Sequence, residues 1–205
     1  MKIVFLCTGN ICRSPMAEAF FRARLEEGYP HLADEVEAVS AGIAAMEGSP
    51  ASSHAIRAMD IWGVDLERHR ARPFTLQLAR EADLVVAMAR EHLLALERIY
   101  PQALEKATTL RSFSVYRDTI VELLGRETAT TIGEVIERLR RAMEIMAYTA
   151  PEAGFAAEMS KASSDIIDPI GGSFSTYLDV AEQIVNSVED LILCLFGDPL
   201  HLKVE

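Results

Sequence analysis

The chain has 205 residues, half of them apolar, which is enough to bury an ordinary hydrophobic core within one domain. Its 20 basic and 31 acidic residues give a formal charge of -11, which disfavours nucleic acids and anionic membranes as partners because both are negatively charged. No apolar run reaches the roughly 18 residues of a membrane span, and the opening "MKIVFLC" is short for a secretory signal, so we expect a cytoplasmic protein.

Four short apolar runs bounded by turn residues or charges predict β-strands. They are residues 2–7, 36–42, 82–89 and 107–113. The helical segments between them are 15–27, 50–62 and 90–99. The first helix is expected to begin with Pro15 at position N1, after Ser14 as N-cap. Because strands and helices alternate and two of the strands are almost continuously apolar, the pattern predicts a doubly wound α/β sheet of parallel strands.

A long segment separates the fourth predicted strand from the last predicted helix. Residues 114–167 are too many for an ordinary connection, so the segment needs structure of its own. The last helix is predicted by apolar residues three and four positions apart from Tyr177 to Leu195, followed by a glycine and a proline as its stop signal. We therefore expect one domain over residues 1–205 with a largely helical insertion at about 114–165.

Inside the insertion, residues 133–148 predict an amphipathic helix. Its apolar face carries Val135, Ile136, Leu139, Met143 and Met146. Oppositely charged residues stand four positions apart on the other face, as Glu134–Arg138 and Glu137–Arg141. The small and polar residues that follow are typical of a loop.

The three cysteines are too few for a disulfide framework. Cys7 and Cys12 lie in one polar stretch but lack the spacing of zinc ligands, and the five histidines are scattered along the chain. We therefore expect no metal and no other cofactor. Cys194 stands beside the apolar stripe of the last helix, and we expect it to be simply buried.

The polar stretch "LCTGNICRSP" joins the first strand to the first helix and spaces Cys7 and Arg13 as C-x5-R. If this loop curls, its backbone N–H groups and the helix N-terminus converge on one point and would bind a tetrahedral dianion. Arg13 would clamp two phosphate oxygens with its planar fork, and Cys7 would act as a thiolate nucleophile at the bottom of the cup. The expected phosphate-binding residues are Thr8, Gly9, Asn10, Ile11, Cys12, Arg13 and Ser14.

Attack on a phosphate ester also needs an acid for the leaving oxygen. Asp168, before Pro169 in "DIIDPIGG", is the candidate, because a loop stiffened by proline can hold a carboxyl group over the cup. Taken alone, this Asp-Pro is more typical of a turn than of a catalytic loop, and C-x5-R alone is not rare. Ser14 could hydrogen-bond to the departing sulfur as well as cap the helix. The position of the motif between a strand and a helix favours the catalytic interpretation.

These residues resemble the low-molecular-weight protein tyrosine phosphatase family. The likeness is carried by "VFLCTGNICRSPMAEAFF" near the N-terminus, by "SAG" at 40–42, "HRAR" at 69–72, "ADLVVAMA" at 82–89 and "DPIGG" at 168–172. The resemblance implies an α/β fold of the phosphatase I-like (Rossmann-like) type, in which a four-stranded parallel sheet has helices on both faces. It also implies a two-step reaction through a cysteinyl-phosphate intermediate, without a metal.

The resemblance assigns roles to particular residues of this chain. Cys7 would be the nucleophile, Arg13 the phosphate clamp, and Asp168 the general acid that later activates water. Supporting positions would be held by Asn10, Ser14, Ser40, His69 and Arg72. Cys12 matches the family's second loop cysteine, which can trap oxidised Cys7 as a reversible disulfide.

Two positions at the expected pocket rim, Met46 and Ile170, depart from the family pattern. Many members carry aromatic residues there and at the position of Gly171, where they would stack on a phosphotyrosine ring. "DPIGG" instead resembles a bacterial subgroup that includes protein arginine phosphatases. Those typically have a polar threonine where this chain has Ile11, so Ile11 favours aryl phosphate. We therefore predict a phosphatase that acts on protein phosphotyrosine, with a protein arginine phosphatase as the alternative.

Two further functions fit the sequence less well. An arsenate reductase of this fold would need relay cysteines, and residues 75–100 contain none. A non-catalytic phosphate-binding regulator would lack Cys7, Arg13 or Asp168, and all three are present. The insertion could form a lid, dock a partner or pack away from the pocket, and the sequence indicates no oligomeric state. As a lid it could supply a missing aromatic wall from Tyr116, Tyr148 or Phe155.

Overall fold

The computed structural model describes residues 1–149 and 165–199. The strands in these ranges are β1 (Lys2–Cys7), β2 (Glu37–Gly42), β3 (Leu84–Ala87) and β4 (Ala107–Thr109). The helices are α1 (Arg13–Gly28), α2 (Pro30–Ala33), α3 (Ser53–Asp60), α4 (Leu76–Glu81), α5 (Arg90–Ile99), α6 (Leu110–Leu124), α7 (Ile132–Thr149) and α8 (Phe174–Phe196). A 3-10 helix at Pro101–Lys106 precedes β4.

The four strands form one parallel sheet in the order β2-β1-β3-β4. Side chains of β1 alternate between two hydrophobic cores, as expected for a strand buried on both faces. Phe5 and Cys7 face the core shared with α1 and α8, whereas Val4 and Leu6 face the core shared with α4 and α5. The predicted four-stranded parallel sheet with helices on both faces is confirmed.

The fourth strand is shorter than predicted. It ends at Thr109 and the chain turns directly into α6, so the prediction of a strand over 107–113 is wrong for its second half. Leu110 and Phe113 are both fully buried and stand three positions apart, which places them on one face of a helix. Burial of that face outweighs the strand preference suggested by the two threonines before it.

Two helices begin at residues other than those predicted. α1 begins at Arg13, so Pro15 is its third residue, and the prediction of Ser14 as N-cap is wrong. α3 begins at Ser53, and its N-cap is Ser52, whose hydroxyl accepts a hydrogen bond from a backbone N–H of the first turn. The earlier start of α1 places Arg13, the last residue of the C-x5-R motif, on the helix itself.

The last helix is confirmed over its whole predicted stripe. The buried residues on this stripe are Tyr177, Ala181, Ile184, Val188, Leu191 and Leu195. Cys194 is also buried, as expected, and burial raises its thiol pKa to about 12. α8 ends at Gly197, which adopts a left-handed φ of 80°. Among the helices of the two described ranges, none combines the length and the apolar composition of a membrane span.

α7 is the amphipathic helix predicted inside the insertion, and it packs with α6 against α8. Val135, Leu139 and Met146 are buried as predicted. Ile136 is 45% exposed, because it lies one position after Val135 and is therefore rotated about 100° around the helix. The loop predicted after α7 falls mainly on residues 150–164, outside the described part of the chain.

The ion pairs predicted along α7 are wrong. Arg138 does not pair with Glu134; its guanidinium donates to three backbone carbonyls at 2.9 to 3.2 Å. These acceptors are Cys194 on α8 and Leu124 and Gly125 at the end of α6. Glu137 pairs with Arg140 rather than with Arg141. Arg138 therefore joins three helices by satisfying carbonyls that a helix end leaves without intrahelical partners.

We expect Arg138→Met to lower the free energy of unfolding by about 2 kcal/mol, since the variant keeps the aliphatic stem and loses charge-assisted hydrogen bonds to partly buried carbonyls. Arg140→Met, on the exposed side of the same helix, is the matched control and should change the free energy of unfolding by less than about 0.5 kcal/mol. Urea denaturation followed by circular dichroism measures both. Equal effects of the two variants would contradict the role given to Arg138.

Candidate active site

Cys7 lies at the carboxyl end of β1, between the ends of β2 and β3. Open α/β sheets bind ligands at this edge, because the loops that leave neighbouring parallel strands meet there. The loop from Cys7 to Arg13 curls back over the strand end. Asn10 adopts a left-handed φ of 53° within it, which lets its backbone N–H turn towards the Cys7 sulfur at 3.2 Å.

The Cys7 sulfur has two hydrogen-bond partners. One is the Asn10 backbone N–H, and the other is the hydroxyl oxygen of Ser14, 3.0 Å from Sγ. Both groups can donate to a thiolate. The contact with Ser14 agrees with the prediction that this hydroxyl meets the sulfur.

The Asn10 side chain is completely buried and joins the cup to α1, to β2 and to the segment at Arg72. Its Nδ2 donates to Ser14 Oγ at 3.0 Å and to Ser40 Oγ at 2.8 Å. Its Oδ1 accepts from the backbone N–H of Arg72 at 2.9 Å. Arg72 therefore supports the loop through its backbone, while Ser40 does so through its hydroxyl.

His69 supports the same loop from the outside. Its Nε2 lies 2.7 Å from the Asn10 carbonyl oxygen. Burial lowers the pKa of His69 despite this hydrogen bond, so the ring is neutral at pH 7 and carries its proton on Nε2, where it donates to the carbonyl.

Arg13 connects the cup with the segment that carries Asp168. Its Nη1 donates to the carbonyl oxygen of Ile166 at 3.1 Å, and its Nη2 lies 2.5 Å from Asp168 Oδ2. The guanidinium is almost completely buried, whereas the Asp168 side chain is 40% exposed. Asp168 is therefore held at the mouth of the cup, where it can meet both solvent and a bound group.

Cys12 has surroundings unlike those of Cys7. Its sulfur lies 3.3 Å from the Ser52 hydroxyl and 3.4 Å from the Tyr177 hydroxyl. Burial raises the pKa of the Cys12 thiol. Cys12 is thus held as a neutral thiol near pH 7.

Glycine is required at the end of β2 because the cup approaches it closely. A Cβ atom on Gly42 would lie 2.6 Å from the carbonyl oxygen of Thr8 and 3.0 Å from the Asn10 nitrogen. Both contacts are shorter than van der Waals distance, so only glycine fits here without moving the loop. This explains the glycine of "SAG" in terms of this structure.

The side chains of the expected rim residues make no hydrogen bond, although the backbone N–H of Ile170 donates to Asp168 Oδ1 at 3.1 Å. Met46 is 78% exposed and Ile170 is 63% exposed, whereas Ile11 is half-buried. Of the aromatic residues considered for a pocket wall, Tyr116 is buried in the core, and Tyr148 on α7 is 85% exposed and lies beside Leu123 of α6. Phe155 is outside the described residues.

Hydrogen bonds hold most of the predicted site in two groups. One group contains Cys7, Asn10, Ser14, Ser40 and His69, and the other joins Arg13 to Asp168. Sequence reasoning missed Glu18, which accepts from the Ser40 hydroxyl at 2.6 Å, and His92, which contacts Thr8. Both could have been found from their positions in the chain. Glu18 lies one helical turn beyond Ser14, and His92 follows the carboxyl end of β3.

Comparison with known proteins identifies the family of this chain. Residues 2–144 match the model of the family described as low molecular weight phosphotyrosine protein phosphatase. A low molecular weight protein-tyrosine-phosphatase of Streptomyces coelicolor is 43% identical over 115 residues, which cover 55% of this chain and 68% of the relative. A protein-arginine-phosphatase of Bacillus subtilis is 38% identical over 153 residues, which cover 74% of this chain and 89% of the relative.

Solved structures give the same result for the fold. The low molecular weight protein tyrosine phosphatase of T. tengcongensis superposes with a TM-score of 0.63 at 30% identity, covering 94% of this chain and 97% of that one. The arginine phosphatase YwlE superposes with a TM-score of 0.65 at 26% identity, covering 93% of each chain. Phosphatases of both kinds thus share this architecture.

We expect Asn10→Gly to lower the free energy of unfolding by about 2 kcal/mol, because it removes the buried hydrogen bonds of the Asn10 side chain and leaves the Arg72 backbone N–H without its acceptor, while keeping the left-handed backbone accessible. Asn10→Ala should cost about 1 kcal/mol more, since alanine adds the strain of a positive φ. Asn186→Ala, at an exposed position of α8, is the control and should have little effect. Urea denaturation measures all three. A smaller loss for Asn10→Ala than for Asn10→Gly would contradict the contribution of the backbone angle.

Proposed function

The chain belongs to the low molecular weight phosphotyrosine protein phosphatase family, and we propose that it hydrolyses phosphotyrosine in proteins through a cysteinyl-phosphate intermediate. Family membership makes it a phosphatase that acts on phosphorylated protein. The proposal of a cysteinyl-phosphate intermediate depends mainly on one observation. Cys7 lies at the foot of a cup whose buried arginine, Arg13, also contacts Asp168 at the mouth.

Substrate binding is assigned to the loop from Thr8 to Ser14. Arg13 brings a buried positive charge to the cup, and α1 begins at this residue, so the partial positive charge of the helix N-terminus points to the same place. Together they suit a phosphoryl group. Because Cys7 is itself buried, the phosphate has to stand at the end of a long side chain, which tyrosine and arginine provide and serine does not.

Phosphoryl transfer then proceeds in two steps. The Cys7 thiolate forms a bond to phosphorus as the bond to the leaving oxygen breaks, and Asp168 donates its proton to that oxygen. In the second step Asp168 takes a proton from water, the water oxygen attacks phosphorus, and the sulfur departs as a thiolate. The Ser14 hydroxyl, 3.0 Å from the sulfur, stabilises that departing anion with a hydrogen bond.

The choice between phosphotyrosine and phosphoarginine rests on the side chains beside the cup. Ile11 offers no hydrogen bond to a guanidinium nitrogen or to a water molecule, which favours an aryl phosphate. Met46 and Ile170 are aliphatic and exposed, so they can pack on a ring at the mouth. The second candidate is a protein arginine phosphatase, favoured by the 38% identity to the Bacillus subtilis enzyme over 89% of its length.

Hydrolysis of p-nitrophenyl phosphate tests the assigned chemistry. We expect Cys7→Ser to abolish turnover, because a hydroxyl is a far weaker nucleophile than a thiolate at neutral pH. Asp168→Ala should lower kcat/KM for phenyl phosphate by about 100-fold or more, and for p-nitrophenyl phosphate by much less, because the better leaving group needs less protonation. Undiminished activity of Cys7→Ser would refute the proposal.

A pair of peptides identical except for phosphotyrosine or phosphoarginine tests the substrate. We expect kcat/KM for the phosphotyrosine peptide to be at least about tenfold higher. Ile11→Thr should reduce that ratio by adding a hydroxyl beside the cup, whereas the control Ile11→Val should leave it nearly unchanged. A higher kcat/KM of the wild-type protein for the phosphoarginine peptide would show that it is a protein arginine phosphatase instead.

A further inference from the structure

The first turn of α5 contacts both loops of the active site. Ala89 is at the N-cap position of this helix, and an alanine side chain cannot accept a hydrogen bond from the helix N-terminus. The first backbone N–H groups of α5 donate to other side chains instead. That of Ala89 donates to His92 Nδ1 at 3.0 Å, and that of Arg90 donates to Asp165 Oδ1 at 2.8 Å.

Asp165 is bound to Arg90 through its side chain as well. Arg90 Nε lies 3.2 and 3.1 Å from the two carboxylate oxygens, and Nη2 lies 3.0 Å from Oδ2. A two-pronged contact of this kind fixes direction as well as distance. These hydrogen bonds to the Asp165 side chain hold the backbone of Asp165 in place relative to the start of α5.

Asp168 is only three residues beyond Asp165, and the backbone between them is held too. The Ile166 N–H donates to the Met88 carbonyl at 2.8 Å, and its carbonyl accepts from Arg13. Three residues span at most about 10 Å, so a displacement of Asp165 is passed on to Asp168. Arg90 thus adds, through Asp165, to the direct contact by which Arg13 holds Asp168.

The other contact of this turn is with the phosphate loop. His92 is buried, and its Nε2 lies 3.1 Å from Thr8 Oγ1. Burial, with Arg13 nearby, lowers the pKa of His92 to about 4, so the ring is neutral at pH 7. Because Nδ1 accepts from the Ala89 N–H, the single ring proton is on Nε2 and is donated to Thr8. Thr8 is the residue directly after Cys7, so this hydrogen bond orients the first part of the cup.

We propose that the first turn of α5 is a positioning bracket, in which Arg90 holds the Asp168 segment through Asp165 and His92 holds the phosphate loop through Thr8. The proposal rests on the proposed function, since it assigns Asp168 the role of acid. Arg90, Asp165 and His92 are positioning residues that act through others. The two contacts of the bracket predict different kinetic defects, because one serves the acid and the other serves phosphate binding.

Asp165→Asn tests the contact with the acid segment. Asparagine keeps an acceptor for the Arg90 N–H and loses the charge that binds the guanidinium. We expect kcat/KM for phenyl phosphate to fall about tenfold, and for p-nitrophenyl phosphate by no more than about twofold, because a displaced acid matters most for the poorer leaving group. Arg90→Lys, which keeps the charge and loses the two-pronged geometry, should show the same substrate-dependent loss and is the second variant.

The matched control for the acid contact is Asp190→Asn. Asp190 on α8 forms an ion pair with Arg117 at 3.1 Å and is similarly shielded, but neither residue belongs to the site network. We expect Asp190→Asn to leave kcat/KM unchanged for both phenyl phosphate and p-nitrophenyl phosphate. A loss of equal size with both substrates in Asp165→Asn, or no loss with either, would overturn this half of the bracket.

His92→Asn tests the contact with the phosphate loop. The asparagine oxygen can still accept from the Ala89 N–H, but the shorter side chain does not reach Thr8. We expect the inhibition constant of inorganic phosphate to rise about fivefold with the ratio of rates for the two substrates unchanged, since loop geometry serves binding. Thr8→Val should have the same effect, and the double variant should be no worse than either single one, because one interaction is lost in all three. Additive losses would overturn this half.

Asp168→Ala separates failure of the bracket from failure of the proposed function. If this variant shows the larger loss with phenyl phosphate and Asp165→Asn does not, the bracket is wrong and the acid is correct. If Asp168→Ala shows no dependence on the leaving group, the assignment of the acid is wrong, and the half of the bracket that holds Asp168 is wrong with it.

Discussion

The buried amide of Asn10 is the interaction on which the active site depends. A loop that bends back over its own strand needs one residue in the left-handed region, and at Asn10 that conformation costs about 1 kcal/mol or more for a residue with a side chain. The cost is offset by the hydrogen bonds of Asn10 with Ser14, Ser40 and the backbone of Arg72. These partners come from three separate parts of the chain, so the shape of the cup depends on the pairing of β1 with β2.

The shape of the cup also depends on the pairing of the strands. Parallel pairing aligns Cys7 with Gly42 and Leu6 with Ala87, which brings three strand ends to one edge. Gly42 then lets the loop approach within a distance that any side chain would prevent. The chemistry of the cup is therefore local in sequence, but its shape is set by residues about 30 to 60 positions away, as Ser40 and Arg72 show.

Periodicity predicted the elements that bury a continuous apolar face, and local chemistry predicted the cup. Both signals are carried by neighbouring residues, as in the stripe of α8 or the spacing of Cys7 and Arg13. Prediction failed where a distant partner decided the outcome. Arg138 has Glu134 one turn away, yet it donates to carbonyls of other helices, because those groups are partly buried and would otherwise lack a partner. His92 was missed for the same reason, since its contact with Thr8 spans 84 positions.

The position of α6 and α7 argues against a lid made by their described residues. Arg138 and Ala129 contact the C-terminal end of α8, at Cys194 and Phe196. The site contacts the opposite end of α8 at Tyr177, about 25 Å away along a helix that rises 1.5 Å per residue. Asp165, where the described chain resumes, is bound to Arg90 before the chain reaches Asp168. The described contacts of α7 with α8 therefore lie far from the cup along α8, and the contact with Arg90 holds the chain at Asp165 before it reaches Asp168.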